Sequence, residues 1–204
     1  MEDDSSVITA ATSIAAKYKE PLYGLVNNAG VGFGYSVAFT LGVNYYGPKR
    51  VCKAFIPLLD KTCGRIVNIA SASGPMFLAQ RSGDLKTFFS TPDNSEDELE
   101  AKITELSPAI GGDAYGFSKA CLNTFTMQLA KSNPELLISS ATPGFINTDL
   151  TAGMGASGTP EQGARSTLFC LFSPDARTGC YYGSDSVRSP LTAYRGPGDP
   201  PYNP

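Results

Sequence analysis

The sequence predicts an α/β domain, a doubly wound parallel sheet with helices on both faces. Three observations predict it. Helix-like and strand-like stretches alternate along the chain, the order that parallel strands with crossover helices require. The three strand-like runs end in polar or glycine-rich text, Asn27-Asn28-Ala29-Gly30, Ser71-Ala72-Ser73-Gly74 and Thr142-Pro143-Gly144, where parallel sheets gather ligands. The length of 204 residues suits one core and no second lobe.

Ser5 or Ser6 is placed to cap a helix reaching about Tyr18, with Val7, Ile8, Ala11, Ile14 and Ala15 as its apolar stripe and Pro21 as its stop. Leu22 to Asn27 reads as a short buried strand running into a polar turn. A second helix spans about Val43 to Leu59, with Pro48 tolerable only near its first turns. Arg65 to Ser71 is a strand rich in β-branched residues, and Gly74 to Gly83 reads as loop. Ser95 followed by Glu98 announces a short capped acidic helix. A strong helix runs from about Asp113 to Lys131, a strand from Leu136 to Ala141, and a helix from Pro160 to Phe172. Beyond Val187 the proline- and glycine-rich tail is expected to lie extended over the surface.

Lysine and arginine number 16 and aspartate and glutamate 19, a net charge of -3 with no basic run. Nucleic acid and anionic membrane surfaces are therefore not the expected partners. Five cysteines without close spacing, and no histidine, argue against a disulfide framework or a zinc site and for a reducing, cytoplasmic compartment. The start Met1-Glu2-Asp3-Asp4 reads as neither signal peptide nor membrane span.

Chemistry gathers at Tyr115 and Lys119, four residues apart and so on one helix face. A lysine there is expected to lower a phenol from its ordinary value of about 10. Taken alone, Tyr115 reads equally as a half-buried helix tyrosine and Ser71 as a loop hydroxyl. Asn27 to Gly30, Asn44 within Gly42-Val43-Asn44-Tyr45-Tyr46-Gly47, Ser71, Tyr115-x3-Lys119 and Pro143-Gly144-x3-Thr148 nevertheless occur in one order. This order resembles the short-chain dehydrogenase/reductase family, and within it the monomeric NADPH-dependent carbonyl reductases. The resemblance covers roughly residues 5 to 187.

The resemblance implies a Rossmann-like sheet and the reduction of a small-molecule carbonyl (ketone, aldehyde or quinone) to an alcohol. The cofactor would be NADP (NADPH), with NAD as the alternative. Tyr115 would be the general acid, Lys119 would hold the nicotinamide ribose, Ser71 would donate to the substrate oxygen, and Asn44 would hold a water on a proton relay. Asn27, Ala29 and Gly30 would pack beside the cofactor, and Pro143, Gly144, Ile146 and Thr148 would meet its nicotinamide. Phe77, Phe145 and Met154 are candidates for an apolar pocket. The long serine-to-tyrosine separation resembles the extra helical segment of the monomeric members. Residues 75–112 would be that insertion in a domain of residues 1–190, residues 191–204 a tail, and the protein a monomer.

No Thr-Gly-x3-Gly-x-Gly turn precedes Val26. The expectation drawn from this is a sheet truncated at its N-terminal side, beginning with the family's fourth strand and lacking part of the cofactor site. Leu22 to Asn27 would then be an open edge prone to association. The alternative function would be that of a catalytically inactive fragment acting through interactions.

Overall fold

The computed structural model describes residues 3–203; Met1, Glu2 and Pro204 lie outside the described residues. Helix α1 (Asp4–Lys17) is capped by Asp3, whose carboxylate accepts from the Ser5 N–H at 2.9 Å. Asp3 displaces the expected serine caps because a carboxylate at a helix N-terminus also meets the favourable end of the dipole. Strand β1 (Gly24–Asn27) follows.

The second helical stretch starts earlier than expected, where the Phe39 N–H donates to Ser36 Oγ at 3.2 Å. It comprises α2 (Val37–Leu41), a π-helical turn (Gly42–Tyr46), α3 (Gly47–Phe55) and a 3-10 turn (Ile56–Leu58). The distortion has a chemical cause in Pro48, which has no N–H for the Asn44 carbonyl four residues earlier, so the ordinary ladder breaks there.

Strand β2 (Arg65–Ile69) leads into α4 (Ser73–Ala79) and α5 (Gly83–Phe89), where a loop was expected. Gly74 and Pro75 look like turn punctuation. Pro75 instead lies in the first turn of α4, where its missing N–H costs nothing, and Phe77 and Leu78 are buried behind it. Helix α6 (Glu96–Leu106) opens with the reciprocal Ser95–Glu98 capping box. Helix α7 (Ala114–Ser132), strand β3 (Leu137–Ala141), helix α8 (Pro160–Phe172) and a two-residue strand β4 (Tyr181–Tyr182) complete the elements.

The strands lie in the order β1-β2-β3-β4, every pair parallel. Alternation sends Ile66 and Ile138 toward α3 and α7, and Val67, Ile69 and Ala141 toward α8, so β2 and β3 are buried on both faces. Helix α1 sets Val7 and Ala11 against Phe55 of α3. Polar residues cross the same interface. Asn27 Nδ2 donates to Asn68 Oδ1 at 2.8 Å, Asn68 Nδ2 to Thr126 Oγ1 at 2.9 Å, and Ser140 Oγ to Asn123 Oδ1 at 2.8 Å.

The expectation of a truncated sheet is overturned. Four parallel strands in continuous register, preceded by a packed α1 and wound with helices on both faces, make an ordinary doubly wound sheet.

Helices α4 and α7 meet backbone to backbone. A Cβ on Gly74 would lie 3.0 Å from Lys119 C and Ala120 N, and one on Gly116 would lie 3.0 Å from Ser73 O. Gly74→Ala is expected to destabilise the fold by about 1–3 kcal/mol through overpacking. Urea midpoints check this, with Gly83→Ala, where a Cβ meets open space, as the control that stays unchanged or gains stability.

Candidate active site

The site stands beyond the carboxyl ends of β2 and β3, at the N-terminal end of α7. This helix is buried on nearly every side because α4, α5 and α6 cover the face turned away from the sheet. Lys119 is 5% exposed, and its Nζ donates to the Ile69 carbonyl at 2.8 Å. Burial pulls this ammonium down to about 8. One turn earlier, the half-buried Tyr115 hydrogen-bonds through its hydroxyl to Ser71. Ser71 Oγ also accepts from the Ser73 N–H at 3.2 Å.

Burial raises the Tyr115 phenol, and the Ser71 bond opposes that rise. The expected lowering by lysine is thus reversed. Lys119 Nζ lies 5.6 Å from the phenol ring centroid and is anchored to a backbone carbonyl, so desolvation of the phenolate prevails.

Asn44 sits on the π-helical turn, 1% exposed, with its carboxamide fully engaged. Its Nδ2 donates to Val31 O at 3.0 Å and to Ser118 Oγ at 3.0 Å, and its Oδ1 accepts from the Val31 N–H at 2.9 Å. Ser118 Oγ in turn donates to the Tyr115 carbonyl at 2.8 Å. Asn44 therefore ties the loop after β1 to the turn of α7 that carries Tyr115. Gly30 in that loop has a steric reason to be glycine, since a Cβ would come 3.1 Å from Asn44 Oδ1 and 3.7 Å from Lys119 Nζ.

The structure thus brings Tyr115, Lys119, Ser71 and Asn44 together with Gly30. Asn27 lies below them with its side chain in the core, and Ala29 is exposed in the turn above. Pro143 and Gly144 follow β3, with Gly144 at φ 89°, a backbone region that glycine favours. The Ile146 side chain packs toward Gly158 and Gly163, and Thr148 opens a short 3-10 turn. Phe77 is not a pocket residue. It is 3% exposed, with the Arg81 guanidinium over its ring at 4.0 Å, whereas Phe145 and Met154 are exposed.

Two neighbours escaped the sequence reading. Phe33 lies against Tyr115 with ring centroids 4.7 Å apart and is 51% exposed. Its only local signal was an aromatic residue set between Gly32 and Gly34. Ser118 was readable only as the residue three after Tyr115.

The chain is similar to known proteins. A model of the short chain dehydrogenase family matches residues 1–83. Carbonyl reductase (NADPH) 3 of Rattus norvegicus is 30% identical over 199 residues, 85% of this chain and 71% of that protein. The chain belongs to the short-chain dehydrogenase/reductase family. A (+)-neomenthol dehydrogenase of Arabidopsis thaliana is 34% identical over 161 residues, 71% of this chain and 54% of that protein. Among solved structures, salutaridine reductase from Papaver somniferum superposes with a TM-score of 0.76 at 25% identity, covering 88% of this chain and 78% of that one.

The chain spans about half the length of several plant relatives, 54%, 50% and 53%. The reading of a short-chain dehydrogenase/reductase that lacks its N-terminal cofactor-binding part is corrected by these findings. The family match covers residues 1–83, and the superposition is that of a regular doubly wound sheet.

Asn44→Ala would leave the Val31 N–H and carbonyl without their partner. The expected cost is about 1–3 kcal/mol for groups left unsatisfied. Faster amide exchange at Val31, with α8 unaffected, checks this.

Proposed function

We propose that this short-chain dehydrogenase/reductase reduces the carbonyl of an apolar ketone, aldehyde or quinone to an alcohol, with NADPH as cofactor and NAD as the alternative. The observation that carries this reading is the Tyr115 hydroxyl bonded to Ser71 at the strand ends, one turn from a buried ammonium. The NADPH named for the rat carbonyl reductase supports the cofactor.

When bound, the cofactor supplies the hydride. The Tyr115 and Ser71 hydroxyls donate to the carbonyl oxygen where negative charge develops. A phenol raised by burial is fully protonated at neutral pH, which suits the acid that reduction needs rather than the base of the reverse reaction. Once the proton has left, the Lys119 charge favours the phenolate.

The residues present fit the ribose end of the cofactor. Lys119 has N–H groups beyond the one given to Ile69, and Gly30 leaves space beside it that a Cβ would fill. Asn27, Ala29, Gly30, Pro143, Gly144, Ile146 and Thr148 are the further cofactor contacts of this reading. Asn44 acts by holding the Val31 loop, because its side chain is committed to protein partners rather than to a relay water. The exposed rings of Phe33 and Phe145 suit a substrate with an apolar body. The helical segment between β2 and α7 covers α7, which supports a monomer. Free thiols at all five cysteines suit a reducing, cytoplasmic compartment.

NADPH oxidation with a panel of ketones, aldehydes and quinones tests the proposal, and absence of both turnover and NADPH binding would sink it. Tyr115→Phe is expected to lower kcat about 10²- to 10⁴-fold, the usual contribution of a positioned acid.

Lys119 gives a second test through stability. Its folded value, about 8, lies below the ordinary 10.5. Between these values the unfolded chain binds a proton that the folded chain does not, so stability rises with pH across that window. Below it the buried charge costs about 3 kcal/mol. The bond to Ile69 offsets about 1.5–3 kcal/mol of this. Lys119→Met is therefore expected to melt no lower than wild type at pH 7 while losing activity, as thermal scans and turnover assays would show.

A further inference from the structure

The tail beyond β4 folds back on the sheet. Gly183 N donates to Val187 O at 2.9 Å and Ser189 N to Tyr181 O at 2.9 Å, and Arg188 stands opposite Tyr182 in an antiparallel bridge. The turn at 183–186 that joins the two segments holds Ser186 at φ 64°. A non-glycine residue keeps that conformation where its surroundings enforce it.

Arg195 supplies the enforcement. Its Nη1 donates to Asp185 Oδ1 at 3.0 Å and its Nη2 to Asp185 Oδ2 at 2.9 Å, while Nε donates to Pro200 O at 3.0 Å and Nη2 to Asp199 O at 2.6 Å. Asp185 also accepts from the Val187 and Gly198 N–H groups, at 3.3 Å and 3.2 Å. The Arg195 side chain is 6% exposed. A bidentate guanidinium–carboxylate pair fixes orientation as well as distance, which a single-point ammonium cannot do. Buried ion pairs add little net stability over apolar packing, so the effect of this one falls on geometry.

The turn that Arg195 holds lies against the end of β3. A Cβ on Gly144 would come 3.0 Å from Ser184 Cβ and 3.3 Å from Ser184 Oγ. Beside that contact, Thr142 N donates to Tyr182 O at 3.0 Å and Gly144 N to Thr142 Oγ1 at 3.2 Å. Ser184 and β4 thus form the wall against which the Thr142-Pro143-Gly144 turn rests.

We infer that Arg195 is a positioning residue for this turn. Acting through Asp185, it fixes the turn at 183–186, and Ser184 on that turn sets where Gly144 stands. The consequence for cofactor binding rests on the reductase reading, in which Pro143 and Gly144 meet the nicotinamide. The positioning itself does not.

Hydrogen exchange on the full chain without cofactor, together with NADPH titration, separates the two. In Arg195→Ala the amides of residues 144–147 are expected to exchange at least about tenfold faster while those around Lys119 stay unchanged, since local openings are independent of global unfolding. NADPH affinity should fall about tenfold, a displaced contact of this kind costing up to about a hundredfold. Arg195→Lys, which keeps the charge without the fork, should fall between Arg195→Ala and wild type. Should Arg195→Ala fail to fold, Asp185→Asn breaks the same pair and is read in the same way. Exchange changes confined to residues 183–203, or a uniform loss that includes α7, would overturn the inference, and an unchanged NADPH affinity would overturn its consequence for cofactor binding. If residues 144–147 loosen but the wild-type chain binds no NADPH, the positioning stands and the reductase reading falls.

Discussion

The hydrogen bond from the buried Lys119 ammonium to the Ile69 carbonyl is the constraint on which the rest of the site depends. It joins α7 to the carboxyl end of β2, and a charged group of this kind is tolerated in the interior only while that contact is kept. The contact needs the backbones of α4 and α7 close together, which Gly74 and Gly116 permit. Once Lys119 is seated, the helical repeat delivers Tyr115 one turn earlier to Ser71. Helix packing, strand end and phenol placement are therefore consequences of one arrangement.

A second set of contacts holds the opposite wall. Pro48 interrupts the helix ladder, the π-helical turn follows, and Asn44 is presented to Val31 and Ser118. Below it, the buried contacts from Asn27 to Asn68 and Thr126 join β1, β2 and α7. Polar groups inside a sheet resist register slips because a one-residue shift would leave them unpaired. The loop that carries Gly30 and Phe33 therefore stands on a base whose register is defined.

The far side of the sheet is completed differently. Strand β4 has only two residues, and its outer backbone groups are paired by residues 187–189 of the same chain. This covers an edge that would otherwise be open to other strands. The tail is joined back to the turn at 183–186 by Arg195 and Asp185. Its compactness comes from that ion pair, as the composition contains too much proline and glycine for helix or strand.

By itself the sequence determined what local chemistry determines. The order of helices and strands followed from alternation, the start of α8 from Pro160, the capping box from Ser95 and Glu98, and the shared face of Tyr115 and Lys119 from their spacing. Helix α4 was hidden because Gly74 and Pro75 carry the signature of a turn, and burial of Phe77 and Leu78 overrode it. Only the tertiary structure decided that β4 pairs with β3, that Phe33 covers the Tyr115 ring, and that Arg195 meets Asp185. It also decided the direction in which the phenol titrates. The physical reason is common to all four. Burial and electrostatics sum over neighbours brought together from distant parts of the chain, and residue spacing carries no record of them.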